Sequence, residues 1–152
     1  MQQRFEPSDP DWEARIRGSF ARQPFMATLG AVLTLAEPGR VILEAPFRPG
    51  LTQQHGFFHA GVTSSLTDSA GGYAAYSLFP AGSSVLTVEF KINLVSPARG
   101  DLLRAVGQVL KPGRTLTVCE LKAYGISGGK ETLCAVGQQT LICLANSSDG
   151  PA

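Results

Sequence analysis

The chain has 152 residues, 43% of them hydrophobic, and a formal net charge of +1. That is the size of one domain, with enough apolar side chains to bury a core without disulfide or metal staples. No apolar run approaches the roughly 20 residues that a membrane-spanning helix needs, and there is no basic tract with interleaved aromatics of the kind that holds nucleic acid.

Residues Met1–Pro10 are polar and mixed in charge, unlike a secretory signal, so the expected location is the cytoplasm. Asp11–Arg22 places Trp12, Ile16 and Phe20 four apart, the apolar stripe of a short helix. Thr28–Ala36 and Val41–Phe47 alternate, and Glu37-Pro38-Gly39-Arg40 between them has turn composition, which predicts a hairpin. Gly61–Leu78 breaks the rhythm: Val62, Leu66, Ala70, Tyr73 and Ala74 recur at helical spacing among Ala, Ser and Gly. A helix with small side chains nearly all round lacks the usual charged outer face, so it must be closely surrounded by other structure.

Strands follow. Leu86, Val88, Phe90, Ile92 and Leu94 alternate with Thr87, Glu89, Lys91 and Asn93, which predicts one buried face. Asp101–Leu110, Thr115–Tyr124 and Glu131–Leu144 alternate similarly, divided by the hairpin-like turns Lys111-Pro112-Gly113-Arg114 and Ser127-Gly128-Gly129-Lys130. The segment Asn146–Ala152 is expected to fray.

This order describes a single α+β domain over residues 1–152, a long antiparallel sheet curled around one central helix with a short helix before it. The edge strand of such a sheet stands open in a monomer, so pairing with a second copy is expected. Cys119, Cys134 and Cys143 form no C-x-x-C pair and read as buried thiols in a reducing compartment.

The segment Gln53-Gln54-His55-Gly56-Phe57-Phe58-His59-Ala60-Gly61, followed by Asp68, resembles the signature of the hotdog-fold thioesterases of the phenylacetate-pathway and 4-hydroxybenzoyl-CoA type. The likeness extends through Thr87-Val88-Glu89-Phe90-Lys91 and Leu94-Val95-Ser96-Pro97-Ala98. It implies a hotdog fold and hydrolysis of an acyl-CoA or aryl-CoA thioester by a homodimer, or a dimer of dimers. No cofactor is implied, since CoA arrives as part of the substrate. It further implies that the Gln53 amide, the Ala60 N–H and the Asp68 carboxylate form the site. The pattern usually has glycine where this chain has Ala60. Thr87 falls where relatives place a hydroxyl that orients the attacking water, although a strand threonine is ordinary in itself. His59 reads as a residue that starts the helix rather than as a base, and His55 has no assigned chemistry.

Physical reasoning supports these roles independently. The first turn of a helix leaves N–H groups without partners, so Ala60 and Gly61 would favour an oxyanion there. Asp68 is the only acidic residue between Glu44 and Glu89, and a buried carboxylate needs either a function or a partner. On a continuous helix Ala60 and Asp68 lie about 12 Å apart along the axis and roughly 80° around it. One thioester would touch both kinds of group only where two chains pack these helices antiparallel.

From Lys91 to Lys130 there are seven basic residues against two acids, so Lys111, Arg114 and Lys130 are candidates to hold the CoA phosphates. No G-x-S-x-G elbow supplies a serine nucleophile, and two histidines without a cysteine cluster do not suggest a metal site. The alternatives are a non-catalytic acyl-CoA binding module and, more distantly, a hotdog dehydratase using His59 and Asp68.

Overall fold

The computed structural model describes residues 4–151. Its elements are α1 (Trp12–Ala21), α2 (Pro24–Leu29), β1 (Val32–Glu37), β2 (Arg40–Pro46), a 3-10 turn (Pro49–Leu51), α3 (Ala60–Tyr76), β3 (Ser83–Leu94), β4 (Leu102–Lys111), β5 (Leu116–Ser127) and β6 (Lys130–Ala145). The six strands form one sheet in the order β1-β2-β4-β5-β6-β3, every neighbouring pair antiparallel. This is the expected sheet around a central helix. Among the described residues no helix is long and apolar enough to cross a membrane.

The small residues of α3 let it lie almost on the sheet. A Cβ added at Gly107 of β4 would come within 2.4 Å of the backbone of Ala70 and Gly71, so β4 tolerates no side chain there. Around that contact Leu66, Ala70 and Ala74 pack with Val41, Leu43, Leu103, Ala105 and Leu141 as the core. Arg15 of α1 closes the far end of α3: its guanidinium donates to the carbonyls of Tyr76, Phe79 and Pro80, a cation where the helix dipole is negative.

Three expectations change. The strand expected over Thr28–Ala36 begins only at Val32, because Pro24 starts a separate helix, α2, and Gly30 ends it in the left-handed conformation at φ 67°. The unbroken alternation expected over Leu86–Leu94 is interrupted by a bulge between Thr87 and Glu89. Cross-strand partners share a face, so pairing of Thr87 with Leu141 and of Phe90 with Gln139 puts Thr87 and Phe90 together on the helix side. Nor is that strand buried in a single chain: β3 pairs only with β6, and Leu86, Val88 and Leu94 are each more than half exposed. In the C-terminal tail Arg22 Nη2 lies 2.7 Å from Asp149 Oδ2 and the Ser147 N–H donates to Gly82 O. Residue 152 of that tail lies outside the described residues.

Candidate active site

Asp68 sits in the middle of α3, half-buried, on the side that faces β3 and β6. The Thr87 hydroxyl donates to its Oδ1 at 2.7 Å. Gln139 Nε2 donates to the same oxygen at 2.5 Å and to the Asp68 backbone carbonyl at 3.1 Å. Gln139 Nε2 also lies 3.0 Å from Thr87 Oγ1. Oδ2 has no hydrogen-bond partner among the described residues, and Asp68 lines a cavity of about 650 Å³ together with Gly72, Tyr73, Val85 and Leu141. One carboxylate oxygen is therefore gripped and the other is open. Burial raises the carboxyl above its ordinary value of 3.8, and the hydrogen bonds from Thr87 and Gln139 pull part of the way back.

The bulge delivers Thr87 to this place, since without the slip in alternation the hydroxyl would sit on the opposite face from Phe90 and Gln139. Its one proton is committed to Asp68 and one lone pair faces Gln139, which leaves a second lone pair that can accept from a water beside Oδ2.

The motif end of α3 is a separate place. His59 is the N-cap, and its Nδ1 accepts from the Gly61 N–H at 2.8 Å. Gly61 was expected as a second oxyanion donor, but its N–H is occupied here. The Ala60 N–H donates to no group among the described residues and is exposed. The Gln53 side chain accepts from the His55 N–H, which tightens its own loop. His55 and His59 are four apart in sequence but lie in that loop rather than on a helix, and the described residues contain no group of three or more metal-ligating side chains. Gln53 and Ala60 line a second cavity of about 430 Å³ together with Phe57, Leu94 and Cys134. Burial pushes the Cys134 thiol up to about 11 and that of Cys119 to about 12, so neither provides a thiolate nucleophile near neutral pH.

The two cavities share no lining residue. Within one chain, then, Ala60 at the start of α3 lines one space with Gln53 of the preceding loop, and Asp68 in the middle of α3 lines the other with Thr87 of β3. The basic candidates are also divided. Lys111 and Arg114 lie at the β4–β5 turn and Lys130 at the β5–β6 turn, the two ends of a 12-residue strand that spans on the order of 35 Å. The three cannot meet one nucleotide within a single chain.

Sequence reading missed Gln139. It lies at an inward position of β6 between Gly137 and Leu141, and only its polar nature at a core-facing position marked it. Arg99, whose guanidinium stacks 4.3 Å over the Phe57 ring beside the second cavity, was likewise not singled out.

Comparison with known proteins gives the family. Residues 55–132 match the thioesterase superfamily. A crystal structure of a thioesterase family protein from Silicibacter pomeroyi is 50% identical, with a TM-score of 0.87 over 88% of this chain and 98% of that one. A protein of Saccharolobus solfataricus with a provisional esterase name is 34% identical over 106 residues, 70% of this chain and 74% of the relative. The E. coli PaaI protein of the phenylacetic acid degradation operon, 18% identical over 89% of this chain and 94% of its own, shares the fold at a TM-score of 0.78. The sheet wrapped around its helix and these matches have one explanation: the chain belongs to the thioesterase superfamily, with the hotdog fold, and its chemistry is thioester hydrolysis.

Proposed function

We propose that the protein hydrolyses an acyl-CoA or aryl-CoA thioester to the free acid and CoA, in a site completed by a second copy of the chain. The observation that carries this reading is the half-site in each cavity: a carboxylate with one open oxygen in the first, and a free helix N-terminal N–H beside an amide in the second. The open β3 edge, with Leu86, Val88 and Leu94 exposed, is the natural seam. Antiparallel pairing of β3 with its copy would lay the two α3 helices side by side and bring the Ala60 end of one to the Asp68 of the other, twice per pair.

In such a site the substrate carbonyl accepts from Ala60 N–H, with Gln53 beside it. Asp68 Oδ2 takes a proton from a water held near Thr87 while the water oxygen bonds to the carbonyl carbon. Collapse of the oxyanion then breaks the C–S bond, and the proton on Asp68 goes to the departing CoA thiolate. Direct attack by Oδ2, giving a mixed anhydride that water then hydrolyses, uses the same atoms. His59 holds the helix start in place.

A further point in favour concerns the basic turns. The Asp68 level of the sheet, marked by Gln139 opposite Cys119, is near the Lys111–Arg114 end of β5. The second cavity, marked by Cys134, is near the Lys130 end. Two antiparallel chains would bring both ends to each composite site. Arg114→Ala is expected to raise KM for acyl-CoA about fivefold, the worth of one exposed ion pair, and to leave a short thioester without the nucleotide unchanged. Equal effects on the two substrates would remove Arg114 from the phosphate site.

The occupied Gly61 N–H and the methyl group of Ala60 favour a second reading, an acyl-CoA binding module with a weakened oxyanion hole. Following thiol release from a panel of acyl-CoAs, from acetyl to aryl, separates the two. Turnover of at least one member supports the hydrolase, and saturable binding with no thiol released supports the module.

A further inference from the structure

We propose that Gln139 is a positioning residue for this site, holding the Asp68 side chain against its own helix so that Oδ2 alone faces the substrate. This rests on the hydrolase reading for its consequence in turnover, but not for its geometry. Gln139 is 1% exposed, a full amide inside a sheet face otherwise occupied by Leu141, Cys119 and Leu121. Burying an amide is unfavourable unless both of its ends are bonded. Here Nε2 reaches Asp68 Oδ1, Asp68 O and Thr87 Oγ1, while Oε1 is buried and has no partner among the described residues.

The orientation follows from the acceptors. With the amide reversed, its carbonyl oxygen would face a carboxylate oxygen and a backbone carbonyl, so the NH₂ must be the end that points at Asp68. Room for the unpartnered oxygen comes from Gly71, where an added Cβ would lie 2.0 Å from it. The fold thus gives up a side chain at Gly71, in the middle of a helix, to seat an amide that aims two donor contacts at one aspartate. A side chain serving packing alone would not need that clearance.

The grip is on the backbone as well as the carboxylate, so it fixes the carboxylate's rotation relative to α3. Thr87 arrives from β3 and Gln139 from β6, adjacent strands, and together they occupy Oδ1 from two sides. The other charged or titratable groups that share the Asp68 cavity are Tyr73 of α3 and the pair Arg22 and Asp149, which are bonded to each other. None of them donates to Asp68.

The test is the titration of the Asp68 carboxyl carbon by NMR, with its resonance assigned by its disappearance in Asp68→Asn. It is made in the wild-type protein, in Gln139→Met, which keeps the shape and loses the donors, and in Gln139→Glu, which keeps the shape and adds a like charge. Removing donors from an ionised carboxylate raises its pKa, so the Asp68 titration moves up in Gln139→Met and further up in Gln139→Glu. For the active enzyme kcat falls about tenfold in Gln139→Met, the loss of a hydrogen bond to a charged group. KM changes little, and the acid limb of kcat/KM moves up with the titration. Should Gln139→Met fail to fold, Gln139→Glu decides by the same measurement. An Asp68 titration unmoved in the folded variants overturns the proposal. A moved titration in a wild-type protein that releases no thiol keeps the positioning role and sinks the hydrolase reading instead.

Discussion

Asp68→Asn is expected to fold, to bind the CoA ester and to lose between about a hundredfold and ten-thousandfold in kcat, the range that a positioned proton-transfer group contributes. The amide is nearly isosteric with the carboxylate. Its oxygen accepts from Thr87 and Gln139 as Oδ1 does now, and its NH₂ lies where Oδ2 is open. What disappears is the ability to take a proton from water or to attack a carbonyl. Because the loss falls on chemistry rather than on binding, kcat and kcat/KM drop together and KM hardly moves. Near wild-type turnover by Asp68→Asn would take the residue out of the mechanism.

The same substitution has a predicted sign for stability. Burial raises the Asp68 pKa in the folded protein above its ordinary value of 3.8, with Thr87 and Gln139 opposing. A carboxyl that binds its proton more tightly when folded makes the folded state less stable at neutral pH, where it is ionised. That penalty fades as pH falls from above the raised value towards 3.8. Asp68→Asn removes the penalty, so at neutral pH the variant melts no lower than the wild type, the usual exchange of activity for stability at a working group. For the wild type, the acid limb of kcat/KM lies above the ordinary carboxylate range. A variant that melts well below the wild type would mean that Asp68 serves the core instead.

Mixing two inactive variants is expected to restore activity that neither has alone. Asp68→Asn lacks the carboxylate, and a second variant with Gln53→Ala and a bulky residue at Ala60 lacks the donor end. The two defects lie in cavities with no residue in common, so neither disturbs the other's half. When each site takes donors from one chain and carboxylate from the other, a mixed dimer contains one site with both defects and one with neither. Random reassortment makes about half of all dimers mixed, which returns up to roughly a quarter of wild-type sites. Against parents reduced by a hundredfold or more that recovery is readily measured. Subunit exchange is established first with differently tagged chains. Exchange without recovered activity would place the whole site within one chain.

Much of this molecule is readable along the chain because its signals are local. Period-two alternation marks β4, β5 and β6, and small residues at helical spacing mark α3 and its burial. The isolated acid within that helix marks Asp68, and the motif before it marks Gln53, His59 and Ala60. Each is a pattern among near neighbours, set by the 3.6-residue or 2-residue repeat of the backbone. Pro24 at the start of α2 and Gly30 at its end are local signals too, but they flank only six residues, and the alternation over Thr28–Ala36 runs across them.

Other features exist only once distant segments meet. The bulge in β3 is a matter of register against β6, and the residues on either side of it alternate without a break in sequence. Gln139 is 71 residues from the carboxylate it holds, and in a strand of alternating character a glutamine reads as an outward-facing polar residue until the pairing turns it inward. The Gly61 N–H is occupied because the His59 ring folds over it, a choice of side-chain rotamer that spacing does not reveal. The sequence by itself determined the sheet around its helix and the family, and it singled out Asp68 as the candidate carboxylate. The tertiary structure decided which oxygen of that carboxylate is free, which residues grip the other, and that the donor and the acid of one chain open into different cavities. These depend on through-space contacts between elements, and local repeats carry no record of them.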